Sequence, residues 1–378
     1  MAKKRGNNEG TVYQRKDGRW VGAYMIDTRR KYLYTETREE AAKKLRDTLS
    51  RLDRGEYVEP SAVMVAQWLN TWLKEYAAPS VRASTYGAHE GIVRQHLIPA
   101  FTKHRLQALR TEHIQAFVNC QVKAGYAPAT VKRQLATLKV ALKQAVENQL
   151  LFRDPSAAVK LPKQEQKEIE FLTVEEQRVL LSALPASTHG RALRFILGTG
   201  LRVAELCGLC WDDIDRDGFH VNQVTYAVKR NGQYERVTNP PKTKAGKRYI
   251  PVNNKLRAIL DEQRQAQRME RMKAGSAWEG DEPGKGKQWV FASAIGTPAD
   301  RNNLARCLRG CLKDSGLKTR GVHALRHTFA TSWVQSGSDL RTLSELLGHT
   351  NVAFTMQRYV HSDNAVKKKG MEQMESLL

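Results

Sequence analysis

The spacing of apolar positions changes rhythm twice along this chain. Between residues 11 and 35 it alternates with a period of two: "TVYQR", "RWVGAYMID" and "KYLYT" are rich in aromatic and β-branched residues. That pattern predicts three strands, with "KDG" as the turn between the first two. From Thr37 the period lengthens to that of a helix. Thr37 and Glu40 form a capping signal, Ala41, Leu45, Leu49 and Leu52 share one side, and Gly55 supplies the stop. A three-stranded sheet with one helix is the simplest assembly of residues 1–60.

Residues 61–160 keep the helical period throughout. "VAQWLNTWLKEY" places Trp68 and Trp72 four apart, and "STYGAHEGIVRQHL" and "TEHIQAFVNCQVKAG" follow. A last helix begins after Pro128 and aligns Leu135, Leu138, Leu142 and Val146, with Lys132, Arg133, Lys139 and Lys143 on its polar side. "RDPSAAVKLPKQEQKEIE", residues 153–170, combines charge with proline and reads as a linker. Beyond it Thr173 and Glu176 cap another helix, and "GRALRFILGTGLRVAELCGL" gives a helix, a glycine break and a second helix. "GFHVNQVTYAV" and "KRYIPV" read as strands, with "PKTKAG" in a turn, and further helices run to the end. The fold class expected is therefore multidomain α+β. A sheet-plus-helix domain (1–60) precedes an all-helical domain (61–160). A mixed, mainly helical domain with a small antiparallel sheet and a C-terminal tail (169–378) completes the chain.

Length agrees with more than one core, since 378 residues exceed what a single core usually serves. No apolar run approaches a membrane span, and "MAKKRGNNEG" is not followed by the hydrophobic stretch of a secretory signal, so the cytoplasm is the expected compartment. Charge narrows the partner. The net charge is +23, spread as +5 over 1–60, +8 over 61–168 and +10 over 169–378. A basic tail on a neutral body is thereby excluded, and a polyanion, above all double-stranded DNA, is the expected partner. Five cysteines argue against a disulfide framework. The pairs Cys207/Cys210 and Cys307/Cys311 sit in apolar helical patterns without the turn residues of a zinc knuckle, so buried thiols are expected and no metal.

A few polar residues sit awkwardly in apolar segments. Arg202 follows Gly200 at the start of a helix, where an anion is favoured. His323 and Arg326, three apart in "GVHALRHTFATS", share a helix face. Gly348 ends "SDLRTLSELL" and turns His349 out of the helical register. Tyr359 follows; taken alone it is a core tyrosine in line with Val352 and Met356. Two arginines, two histidines and a tyrosine without paired carboxylates describe a metal-free site for a phosphodiester. Guanidinium forks would hold the nonbridging oxygens, and nearby cations would ease loss of the phenol proton.

"GTGLRVAELCGL", "HALRHTFAT" and "LLGHTNVAFTMQRYVH" resemble, in kind, order and spacing, the signature boxes of the tyrosine recombinases, the phage integrase family. Residues 61–160 resemble the family's core-binding domain, and the layout of residues 1–60 its arm-type DNA-binding domain. The resemblance implies that Tyr359 attacks the scissile phosphate, forming a 3′-phosphotyrosyl bond. Arg202 and Arg326 would bind the phosphate, His323 would act as acid/base, and His349 would hydrogen-bond phosphate or tyrosine. A lysine would protonate the leaving 5′ oxygen: Lys242 by the family pattern, with Lys244 as an alternative, while Lys247 lies nearby. Glu205 would orient groups around Arg202; His327 and His361 match family positions with packing or supporting roles. No cofactor is implied. The implied assembly is a homotetramer on DNA attachment sites, proceeding through a Holliday junction to integrate and excise a phage or mobile element. An excisionase and a host DNA-bending protein would be accessory partners. A Xer-type recombinase resembles only the last two domains, so residues 1–60 weigh against it; a transposon recombinase and a catalytically inactive DNA-binding regulator stay open. Past Tyr359, Met371, Met374, Leu377 and Leu378 fall at helical spacing, and the resemblance implies docking of this tail on a neighbouring protomer.

Overall fold

The computed structural model describes residues 10–26, 29–163, 170–230, 233–279 and 288–359. His361 and the apolar positions of the tail lie outside the described residues. The chain separates into two compact units, Met1–Glu165 and Gln166–Leu378, and the break falls inside the charged, proline-bearing stretch 153–170.

In the first unit β1 (Thr11–Gln14), β2 (Trp20–Ile26) and β3 (Arg29–Thr35) form an antiparallel sheet in that order. α1 (Arg38–Asp53) packs on it, started by Thr37, whose hydroxyl accepts from the Glu40 N–H. Four helical stretches follow. α2 (Val65–Thr71) continues through the wider turns of Trp72–Ala77 to Ser80, and α3 (Ala83–Ile92) through those of Val93–Leu97 to Phe101. α4 (Thr111–Lys123) and α5 (Pro128–Glu147) complete the bundle. Trp68, Trp72, Leu135, Leu138 and Leu142 are buried together as their spacing predicts, and the Trp68 indole N–H finds the Ala141 carbonyl at 2.9 Å. The segment joining sheet to bundle is tied to both: Lys31 pairs with Glu59, the Tyr24 and Tyr57 hydroxyls lie 3.1 Å apart, and Gln107 donates to the Glu59 carbonyl and accepts from the Ser61 N–H.

The second unit is built around α7 (Thr188–Thr199), whose residues are nearly all buried. Before it comes α6 (Val174–Ala183), with the reciprocal Thr173–Glu176 cap formed as expected. After it, Gly200 turns the chain at φ +66° into the short α8 (Val203–Cys207). The expected small sheet is two separate pairs. β4 (Gly218–Val221) runs antiparallel to β7 (Arg248–Pro251), and β5 (Val224–Arg230) to β6 (Gln233–Asn239). β6 is a strand the sequence pattern does not announce. "PKTKAG" lies between β6 and β7, which do not pair with each other, so it is a crossing segment with a tight turn at Lys244–Gly246. α9 (Asn254–Ala274), α10 (Arg301–Asp314), α11 (His323–Gln335), α12 (Leu340–Leu347) and α13 (Val352–Tyr359) follow. Phe195, Phe219 and Phe291 stack at the centre of the core, with ring centroids 5.4 and 5.5 Å apart.

Cys207 and Cys210 are buried; Cys307 and Cys311 are only half-buried, less than their apolar setting predicts. Burial pushes the Cys207 thiol up to about 12, which makes it inert at neutral pH. No cluster of three metal-capable side chains occurs among the described residues.

Candidate active site

The turn after α7 sets the first candidate in place. A side chain on Gly200 would strike the Phe329 ring at 2.5 Å, so α7 and α11 approach closely where the chain turns. Arg202 then becomes the N-cap of α8. Its N–H donates to one oxygen of Glu205 at 2.9 Å and its guanidinium to the other at 2.7 Å. Glu205 is almost fully buried, whereas the Arg202 side chain keeps 39% of its surface exposed, so one end of this pair faces outward. A second arginine, Arg248 of β7, holds the same carboxylate at 2.8 and 3.2 Å. Burial alone would raise the Glu205 carboxyl, but the Arg248 hydrogen bonds and charge, aided by Arg202, bring it down to about 2. Glu205 thus holds Arg202 through both its backbone and its guanidinium, and remains ionised at any physiological pH.

α11 supplies the next three groups from one face, at positions 323, 326 and 327. His323, in its first turn, is exposed. Arg326, one turn on, is 1% exposed and braces two elements: it donates to the Gly200 carbonyl at 2.8 Å and to the Leu347 carbonyl at 2.6 Å. Its other contact is the His349 Nε2 atom at 3.0 Å. Burial and then the nearby Arg202 charge lower the Arg326 guanidinium to about 9, still charged at neutral pH. His349 reaches it because Gly348 takes the left-handed conformation, φ +64°, at the end of α12. Any side chain on Gly348 would come within 2.9 Å of the Ala245 carbonyl oxygen, so the crossing segment between β6 and β7 packs directly on this turn.

Tyr359, the last described residue, is 5% exposed and belongs to a small cluster with Ala330, Leu343 and Leu347. The expectation of a core tyrosine is thus half right: Tyr359 is a core residue, although Met356 on the same helix is 49% exposed. Its hydroxyl, however, lies 2.8 Å from the Nδ1 atom of His327. The His327 ring stands 4.5 Å, centroid to centroid, from that of His323, so two histidines and the phenol form a chain. His327 is marked in the sequence only as a match to a family position with a packing or supporting role; its direct contact with the phenol is what the sequence does not announce.

Arg202 and Glu205 are thus joined to each other, Arg326 to His349 and to the Gly200 turn beside Arg202, and His323 through His327 to Tyr359. The lysines are not drawn in. Lys242, Lys244 and Lys247 stay exposed, although the backbone that carries them touches Gly348.

Residues 170–365 match the model of the phage integrase family. The chain belongs to the phage integrase family. Residues 64–120 also match the N-terminal SAM-like domain of phage integrases. This integrase-family chain is 31% identical over 362 residues to the tyrosine recombinase XerC-like protein of Caldanaerobacter subterraneus subsp. tengcongensis, covering 92% of each. That span weakens the argument from residues 1–60 against a Xer-type reading, because a relative bearing that name aligns with 92% of this chain. In fold, it resembles the Tn1549 transposon integrase in complex with a circular intermediate DNA, with TM-score 0.68, 20% identity and coverage of 82% of this chain and 99% of that one. A lambda integrase tetramer bound to a Holliday junction is similar at TM-score 0.59 and 19% identity, covering 96% and 97%. The phage integrase family acts in site-specific DNA recombination, and that activity places this chain among the DNA recombinases.

Proposed function

We propose that this integrase-family protein cuts and rejoins DNA through a covalent 3′-phosphotyrosyl intermediate. The Tyr359 oxygen attacks the scissile phosphorus, the bond to the 5′ oxygen breaks, and a 5′-hydroxyl strand end leaves. Arg202 and Arg326 hold the nonbridging oxygens and stabilise the charge that grows on them in the transition state. His327, the partner of the phenol at 2.8 Å, receives its proton, with His323 beside it as acid/base. His349 hydrogen-bonds the phosphate, and Lys242 (or Lys244, exposed on the same segment) protonates the departing 5′ oxygen. The phosphodiester's free energy stays in the tyrosyl link, so the reverse attack by a 5′-hydroxyl reseals a strand. The observation that carries this reading is the hydroxyl of Tyr359 set on a histidine of the helix that also bears Arg326.

The same reading gives double-stranded attachment sites as substrate, a homotetramer passing through a Holliday junction as the working assembly, and integration and excision of a phage or mobile element as the outcome. An excisionase and a host DNA-bending protein are the accessory partners it calls for. Tyr32 and Tyr34 expose their rings on the N-terminal sheet with Arg15, Arg19 and Arg30 about them, which suits a second DNA grip by residues 1–60. A Xer-type role is the second reading, favoured by the XerC-like relative that covers 92% of the chain. The deciding measurement is adduct formation on a nicked suicide duplex. Tyr359→Phe should bind the duplex normally and form no adduct; an adduct that survives this change would place the nucleophile elsewhere.

A further inference from the structure

Arg248 is absent from the expected site, yet it is the side chain on which that site converges. It sits at the start of β7 with 6% of its side chain exposed. Its Nε atom donates to the Leu346 carbonyl at 2.5 Å, and Nη1 to the Gly246 carbonyl at 3.1 Å. Nη1 and Nη2 together form a fork on the Glu205 carboxylate, at 3.2 and 2.8 Å. Each acceptor belongs to a segment that carries a candidate DNA-contacting group. Glu205 holds the backbone and guanidinium of Arg202; Gly246 lies between Lys244 and Lys247; Leu346 lies in the last turn of the helix whose following turn presents His349. The same Nη1 atom stands 3.0 Å from where a Gly348 side chain would begin, so Arg248 also sets the room available to that turn.

We propose that Arg248 is a positioning residue for strand cleavage: one guanidinium fixes Arg202, the lysine-bearing segment and His349 at the spacing the phosphate requires. The inference rests on the phosphotyrosyl reading above. A buried ion pair is a poor source of stability, because removing both charges from water costs about what their attraction returns. Its value lies in geometry, since a planar fork reaches three acceptors in fixed directions and an ammonium cannot. Glu205 adds a test of that role. With Arg248 gone, burial would act on the carboxyl against Arg202 and the less direct charge of Arg326. Its ionisation would shift upward, and Arg202 would lose its acceptor as pH falls.

The full-length chain decides the matter through four proteins on one nicked suicide duplex: wild type, Arg248→Lys, Arg248→Met, and Arg248→Met combined with Glu205→Gln. Duplex binding and thermal unfolding report the fold, and adduct formation between mildly acid and neutral pH reports positioning. Both single variants should bind the duplex and form adduct about 10–100-fold more slowly, the range in which sub-ångström to ångström misplacement acts. Arg248→Met should also lose rate progressively toward acid pH, and the double variant, which carries an amide that cannot titrate, should lack that acid limb. Wild-type rates in either single variant would overturn the proposal. So would slow cleavage with an unchanged pH profile, or loss of the fold in both, which would make Arg248 a brace and nothing more. Failure of the wild type itself to form an adduct would sink the phosphotyrosyl reading instead.

Discussion

Tyr359 meets two demands at once, a ring packed in a hydrophobic cluster and a hydroxyl set on His327. Its candidacy is legible in the sequence because the order of Arg202, His323, Arg326, His349 and Tyr359 is legible. The match of His327 to a family position is legible too, but its contact with Tyr359 is not, because that contact spans 32 residues and helical spacing shows which residues share a face but not what that face meets. His327→Gln keeps a polar partner near the phenol but removes the base. It should fold and bind DNA while forming adduct about 10²–10⁴ times more slowly, the usual contribution of a positioned acid or base; an unchanged rate in rapid-quench assays would free His327 of that duty. The two arginines should part company under one substitution. Arg202, half-exposed, becomes Lys at little cost to the fold, and only cleavage should suffer. Arg326→Lys leaves the Gly200 and Leu347 carbonyls short of donors, so its unfolding free energy should also fall, by about 1–3 kcal/mol for each buried group left unpaired. Equal melting curves for the two variants would contradict the brace assigned to Arg326.

At the scale of elements, the amphipathic helices and the strands β4 and β7 follow from period and propensity. β6 does not, because "QYERVTN" lies largely exposed and has no apolar side to read. The tight turn at Gly348 is legible as a helix stop, yet the sequence gives no hint that a segment from another part of the chain lies against it. That contact makes Gly348→Ala a sharp probe. A left-handed non-glycine residue costs about 1–3 kcal/mol, and the new methyl would press on the Ala245 carbonyl at 2.9 Å. The expected result is a lower melting temperature together with slower cleavage, because both His349 and the lysine-bearing segment shift. A variant that melts lower but cleaves normally would detach the crossing segment from the chemistry.

For the molecule as a whole, the break within 153–170 is visible in composition, whereas the expected boundary near residue 60 falls inside one compact unit. What joins the two halves there is polar and tertiary: the Lys31–Glu59 pair, the two tyrosine hydroxyls, and Gln107 bridging Glu59 and Ser61. Such contacts leave no periodic trace. Removing residues 1–60 would also strip a net charge of +5. The shortened protein should still form adduct on core-site DNA, recombine poorly with a full attachment partner, and lose part of the salt dependence of binding, since fewer counterions are released. Full recombination by this fragment would show the N-terminal segment to be dispensable.

A phenol with 5% of its surface exposed cannot come within reacting distance, about 3–3.5 Å, of a phosphorus atom on a duplex too broad to enter the protein. On the phosphotyrosyl reading, idle molecules are therefore dormant without an inhibitor. On that reading the trigger is mechanical. The eight residues of α13, too few to stand as a helix alone, must be levered off Ala330, Leu343 and Leu347 before the blade is drawn.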